Sequence, residues 1–156
     1  MPKIKEIMEG EPYTCRMDST VGDVIRQLTD VRVSGIPIVD DQMHPLGFVS
    51  DIDLLRFVTH NRPVVYDWGE HLPVVLDEES PEDKLRSILG APVSRIAASK
   101  IACVEADWEI DEVADYFKRE KVRKIAVLEN NKVIGVVTRS AVLRHILHEI
   151  LPDESQ

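Results

Sequence analysis

The sequence lacks most of the features that announce a chemistry. Its 156 residues hold only two cysteines, Cys15 and Cys103, too few for a disulfide framework or a four-cysteine zinc site, so both read as reduced, buried thiols. It has no C-x-x-C, no G-x-x-x-x-G-K-[ST] phosphate loop and no Ser/His/Asp order, which leaves catalysis without visible residues. Apolar runs such as IPIV stop after a few residues, against the roughly 20 needed to span a bilayer. The opening MPKIKEIMEGE lacks the apolar stretch of a signal peptide. Positive charge is scarce too. Nineteen Lys+Arg against 28 Asp+Glu give a net charge of −9 and no legible basic face, a balance that repels a phosphate backbone. These absences point to a soluble, cytoplasmic, non-enzymatic chain that engages neither nucleic acid nor membrane.

What the chain does have is apolar content, 44%, enough for a packed interior at this length, and an internal repeat. Ile4 and Ile7 fall on Val93 and Ile96 at an offset of 89 residues. The same offset carries Val21, Val24 and Leu28 onto Ile110, Val113 and Phe117, and the strand Val33–Val39 onto Val122–Leu128. One extra residue in the first copy, in DDQMHP against ENNKV, shortens the offset to 88, so Gly47 falls on Gly135. Hairpin turns tolerate such insertions.

Each copy predicts the order β-α-β-β-α, an α/β (α+β) fold: a short extended piece (TCRM; ACVEA), an N-capped amphipathic helix, a hairpin and a second helix. Asp18 and Asp107 are the expected N-caps of the first helix in each copy. The expected organisation is a first repeat over 1–60, an inserted linker over 61–90, a second repeat over 91–150 and a tail over 151–156. Within the linker, Ser80 followed by Pro81 and two acids predicts a helix that ends at Gly90-Ala-Pro92. YDWGEHLPVV reads as a loop or a lid, with Tyr66 and Trp68 in packing roles.

The repeats differ at one corner. GFVSDIDLL, Gly47 to Leu55, returns as GVVTRSAVL, Gly135 to Leu143, with Asp53 replaced by Ala141. Ser50-x-x-Asp53 at a strand-to-helix junction reads as a capping box, each side chain satisfying backbone N–H groups. The competing reading is a ligand contact, since a carboxylate can accept from two hydroxyls at once.

The duplicated β-α-β-β-α unit, the S-G-I-P-I-V strand and the G-F-V-S-D-I-D corner resemble the CBS (cystathionine β-synthase) domain, which occurs as tandem pairs called Bateman modules. The resemblance covers the chain apart from the linker and the last few residues, and implies two repeats packed through their sheets about a pseudo-twofold axis with two clefts between them. It implies binding of an adenosine compound there: AMP, ADP, ATP or S-adenosylmethionine. On that basis Ser50 and Asp53 become ribose contacts, and Thr138 beside Ala141 a cap that holds no sugar. Thr14, Cys15, Gly35, Ile36 and Pro37 match positions flanking the base, their counterparts including Ile125 and Ala126, while plain core packing is the competing reading. Arg123, Lys124 and Arg139 are the phosphate candidates.

The resulting expectation is a stand-alone regulatory module that senses an adenosine compound and signals by conformational or oligomeric change, with no resident cofactor. Leu and Ile residues on the helices after each corner suggest a homodimer, and a separate effector protein is the further expected partner. Two other readings stand beside it: a structural homodimerisation module without a physiological ligand, and a metal- or redox-linked sensor using His145, His148 or the cysteines, for which no third metal ligand is in register.

Overall fold

The computed structural model describes residues 2–61, 65–66, 74–75, 80–96 and 101–151. Two hairpins form the centre. Strands β2 (Gly35–Val39) and β3 (Pro45–Ser50) pair antiparallel in the first repeat, β7 (Lys124–Glu129) and β8 (Lys132–Thr138) in the second. Both ladders shift register at the same place, Ile38/Val39 and Val127/Leu128, so even the irregularity is duplicated. The turns differ as the extra residue requires. Asn130 and Asn131 both adopt positive φ (54° and 63°) in a two-residue turn, the type I′ geometry that matches strand twist. In the longer first turn, Asp40 accepts from the backbone N–H groups of Gln42 (2.8 Å) and His44 (2.9 Å); these bonds, that from His44 foremost, hold its carboxyl below the usual range.

Each hairpin is flanked by two helices. α1 (Val21–Val31) and α2 (Asp51–His60) bury Val21, Val24, Leu28 and Leu54 against β2 and β3; α4 (Ile110–Glu120) and α5 (Arg139–Ile150) bury Ile110, Val113, Phe117 and Val142 against β7 and β8. α1 and α4 close alike, on Arg32 and Lys121 in the left-handed conformation. The expected N-caps move by two residues. Thr20, not Asp18, caps α1 by accepting from the Asp23 N–H at 3.1 Å. In α4 the cap position is Glu109, not Asp107, and its N–H donates to the Glu112 carboxylate at 3.0 Å. Helical backbone starts only at Val21 and Ile110, so a side chain at 18 or 107 lies a further two residues before the orphan N–H groups it was to satisfy. Ser80 does cap α3 (Pro81–Gly90), with its hydroxyl accepting from Asp83 N–H at 3.2 Å. α3 packs on α1 where Gly22 leaves room for Leu89. Of the short extended pieces, ACVEA forms β6 (Cys103–Glu105), parallel to β7, whereas TCRM makes only a bridge at Cys15–Ile38. β4 (Val65–Tyr66) pairs with β5 (Val74–Val75); Trp68 and most of the expected lid lie outside the described residues.

The leading segments are exchanged between the repeats. Ile4 is fully buried in the second repeat's core, and Val93 in the first repeat's. The backbone bonds are reciprocal: Ile4 N–H donates to Trp108 O (2.8 Å) and Val93 N–H to Ser19 O (2.7 Å); Lys5 N–H to Ala106 O (3.3 Å) and Ser94 N–H to Met17 O (3.1 Å). Each pair is related by the sequence offset, so the pseudo-twofold relation holds bond by bond. Between the repeats, Val39, Ala126 and Val133 form a small shared core with Met43 and Leu128 around it. The exchange also sets β1 (Glu9–Gly10) against β8 at Val136 and Gly135. A side chain at 135 would meet Met8 Sδ at 2.5 Å and Glu9 O at 2.6 Å, so only glycine fits. No helix among the described residues is long and apolar enough to cross a membrane.

Candidate functional site

The strand entrances meet across the pseudo-twofold relation. Gly35 opens β2 and Lys124, its counterpart, opens β7; the Lys124 ammonium reaches into the first repeat and donates to Gly35 O at 3.0 Å. Lys124 is half-buried, and that desolvation lowers its pKa, against which Glu9 acts in the opposite sense. A cation partly stripped of water is favourably placed to gain from an anionic ligand.

Lys124 borders two cavities. The first, about 430 Å³, lies between the strap Glu9–Tyr13 and the residues Val33, Gly35, Ile36, Pro37, Lys124 and Val136. The second, about 890 Å³, is walled by Ser34, Phe48 and Ser50, by the opening of α2 at Asp51, Ile52 and Leu55, and by Lys121–Lys124. Both volumes suit a small molecule. Neither Lys121 nor Arg123 has an ion pair among the described residues, and both are exposed.

At the corner, the Asp53 Oδ2 accepts from Ser50 N–H (3.0 Å) and from Ser50 Oγ–H (2.8 Å). Ser50 Oγ in turn is 3.3 Å from the Asp53 N–H. The capping box is therefore formed. The other oxygen, Oδ1, lies 3.9 Å from Arg56. Asp53 itself borders a third, neighbouring groove of about 370 Å³ with Arg56, Phe57, His60, Asn61 and Ile96. The corner thus stands between two concavities, with Ser50 on one side and Asp53 on the other.

The expected site residues fall into groups. Gly35, Ile36, Pro37 and Lys124 come together in the first cavity, and Ser50, Arg123 and Lys124 in the second. Six others line none of these three spaces. Cys15, Ile125 and Ala126 are core, with Cys15 exchanging backbone bonds with Pro37 and Val39. Thr14 offers its carbonyl to Gln27. Thr138 caps α5 by accepting from Ala141 N–H at 3.1 Å, and Arg139 is exposed, its N–H bonded to Arg123 O. Sequence reasoning missed Lys121, Tyr13 and Glu9. Lys121 had a signal, the run Lys121-Val-Arg-Lys124; Tyr13 and Glu9 had none, since the strap's course depends on the exchange of segments.

Among the described residues the thiols and imidazoles carry no such organisation. Burial pushes Cys15 up to about 11, and burial with the nearby Glu105 does the same for Cys103, disfavouring the thiolates that metal binding and redox chemistry need. His145 faces Glu149 at 3.1 Å, and among the described residues no cluster of His, Cys, Asp or Glu has the makings of a metal site.

A tandem pair of β-α-β-β-α repeats with exchanged leading segments and a cleft at their junction defines the class. The sequence pattern of the CBS domain matches residues 4–60 and 93–148, and the chain belongs to that family. An uncharacterized protein of Methanocaldococcus jannaschii, MJ1426, is 27% identical over 92% of this chain and 90% of its own length. A second from the same archaeon, MJ1404, is 22% identical, and the match spans 32% of that longer protein. Among solved structures, CBSX2 in complex with AMP superposes with a TM-score of 0.73 at 20% identity, covering 97% of this chain and all of that one. The CBS domain pair of MJ0100, in complex with 5′-methylthioadenosine and S-adenosylmethionine, gives 0.71 at 15% identity, covering 96% and 98%. At those identities the likeness is one of fold.

Proposed function

We propose that this chain is a regulatory ligand-sensing module that binds an adenosine compound, one of AMP, ADP, ATP or S-adenosylmethionine, where its two repeats meet, residues 61–90 serving as a linker between them. The carrying observation is the pair of cavities on either side of Lys124, built from both repeats. A ligand spanning them touches β2 and the α2 corner of one repeat and the Lys121–Lys124 entrance of the other, so it favours one relative placement of the repeats and shifts the population toward it. Such coupling is typically about 1–3 kcal/mol, which a partner protein or the oligomeric state can read. The adenosine complexes of CBSX2 and of the MJ0100 pair support the ligand class.

The test is isothermal titration with AMP, ADP, ATP and S-adenosylmethionine, repeated with Asp53→Ala. Binding at one site per chain is the expected outcome; Asp53 borders the neighbouring groove and holds Ser50, which lines the second cavity, so a loss of about tenfold with Asp53→Ala, roughly 1.4 kcal/mol, is the result that would put the ribose at the corner. If no compound binds to protein freed of copurified ligand, the proposal fails.

A second reading rests on the exposed apolar faces after the two corners: Ile52 and Leu55 on α2, Leu143, Leu147 and Ile150 on α5, each at least half exposed. Faces of this kind mark interaction surfaces, and a homodimer through them is the simplest symmetric solution. Sedimentation equilibrium giving a monomer at all concentrations would remove it.

A further inference from the structure

The larger of the two cavities beside Lys124, about 890 Å³, has an apolar wall and a cationic edge. Phe48, Ile52 and Leu55 of the first repeat form the wall with Val122 of the second; Lys121, Arg123 and Lys124 form the edge. Ile52 and Leu55 are 54% and 59% exposed, so the fold leaves them to water and not to its core. A single exposed leucine is ordinary, but apolar side chains gathered in one concavity mark a binding surface.

Neither feature is required by the fold, because the twin positions do without it. At the offset of 88, Phe48 and Ile52 fall on Val136 and Ser140; at the offset of 89, Ser34 and Gly35 fall on Arg123 and Lys124. One repeat carries the apolar wall and the other the cations, and the pseudo-twofold relation sets them on opposite sides of a single space. These cations are uncommitted. Lys121 and Arg123 have no ion pair among the described residues, and Lys124 is held by a neutral carbonyl, Gly35 O at 3.0 Å. The one carboxylate on the lining, Asp51, already accepts from the Ile52 N–H at 2.7 Å. In a chain of net charge −9, three cations facing one carboxylate are a local reversal of sign that favours an anion.

The kind of anion follows from the wall. Its side chains offer no donor or acceptor, so whatever part of a ligand lies on them gains by leaving water and by nothing else. A small hydrophilic anion leaves the wall wet, and a neutral lipid leaves the cations unused. An aliphatic chain ending in one compact anionic group uses both. A carboxylate suits Arg123, whose planar fork pairs with it through two parallel N–H bonds. We propose that the second cavity is a site for a medium-chain aliphatic carboxylate, its head at Arg123 and the flanking lysines and its chain along Phe48, Ile52 and Leu55. This goes beyond the adenosine reading and does not rest on it. Both ligands draw on Lys124, so they compete wherever both bind.

The experiment is isothermal titration of the whole chain with hexanoate, octanoate and decanoate below micelle formation, with decyltrimethylammonium as the cationic control. It is repeated with Lys121→Gln/Arg123→Gln, with Leu55→Gln and with Leu143→Gln, the same change at the twin position. All four side chains are exposed, and unchanged circular dichroism checks each variant's fold. Decanoate should bind at one site per chain, with affinity rising roughly threefold for each added CH₂ along the series and falling as salt rises. The double variant and Leu55→Gln should each weaken decanoate about tenfold or more, and Leu143→Gln should leave it unchanged. Decyltrimethylammonium binding as tightly as decanoate, or equal losses with Leu55→Gln and Leu143→Gln, would show unselective adsorption to apolar surface and overturn the proposal. So would a Leu55→Gln variant that keeps its decanoate affinity while sedimentation equilibrium shows a dimer become a monomer, since the wall then belongs to a second copy. None of these outcomes depends on whether an adenosine compound binds, so the two readings fail separately.

Discussion

The same strand-to-helix corner is built twice in this chain, and only one copy carries a carboxylate. At Ser50–Asp53 a reciprocal box forms; at Thr138–Ala141 one hydroxyl, 3.1 Å from the Ala141 N–H, does the capping alone. Behind each corner the strand entrance is held identically, Asp51 N–H to Ser34 O at 2.7 Å and Arg139 N–H to Arg123 O at 3.2 Å. The fold therefore needs the hydroxyl and the backbone bond but not the acid. A second asymmetry lies next to it, Gly35 against Lys124. What both repeats share builds the scaffold, and these two differences lie beside the cavities where the repeats meet.

The most severe way to break this comparison is at the exchanged segments, where the two halves should behave alike. Ile4→Ala empties a fully buried position in the second core and should cost about 2–5 kcal/mol. Val93→Ala does the same in the first core and should cost roughly 2 kcal/mol, having less to delete. Because each repeat's core is completed by the other's leading segment, urea unfolding of both variants should stay a single transition. Two separate transitions would show that the repeats unfold independently and that the exchange does not couple them.

The Gly35/Lys124 difference has a steric origin that can be tested next. A Cβ at 35 would lie 2.7 Å from Phe48 Cζ and 2.9 Å from Val49 O, whereas at the matching place beside Lys124 the second repeat has Val136. Gly35→Ala should therefore destabilise by about 1–3 kcal/mol, and adding Phe48→Val should recover roughly 1 kcal/mol of it in a double-mutant cycle. Strict additivity would mean that the backbone oxygen, not the ring, forbids the side chain.

Much of this was legible in the sequence because it depends on periodicity. The repeat, its element order and the place of the extra residue follow from apolar spacing and turn chemistry, and the family pattern over 4–60 and 93–148 agrees with them. The exchange of leading segments was not legible, for a definite reason. The offset between copies is the same whether residues 4–7 pack on their own repeat or on its twin, so no pattern of apolar residues distinguishes the two. Everything that depends on the exchange was invisible with it: the strap Glu9–Tyr13, the demand for glycine at 135 and the closing of the first cavity. The N-cap of α1 was misplaced because Asp18 and Thr20 are both good capping residues two positions apart, and only the backbone turn decides between them; in α4 the position falls on Glu109, a residue type that cap preference does not single out.

The smallest expected effects lie at the corner itself, and they decide what its acid is for. Asp53→Ala converts the first corner to the second's arrangement and should cost about 0.5–2 kcal/mol, as loss of a cap does. The reverse, Ala141→Asp, meets favourable surroundings. Position 141 is in the first turn of a helix with no acid there, and Arg144 stands three residues on, where Arg56 stands from Asp53. It should add about 0.5 kcal/mol by N-terminal charge and ion pairing. If thermal unfolding shows these two equal and opposite shifts and ligand affinity follows neither, the carboxylate is a helix cap and nothing more. If Asp53→Ala removes ligand binding while costing no more stability than Ala141→Asp adds, the acid was kept in one repeat for the ligand, since the other repeat folds without it.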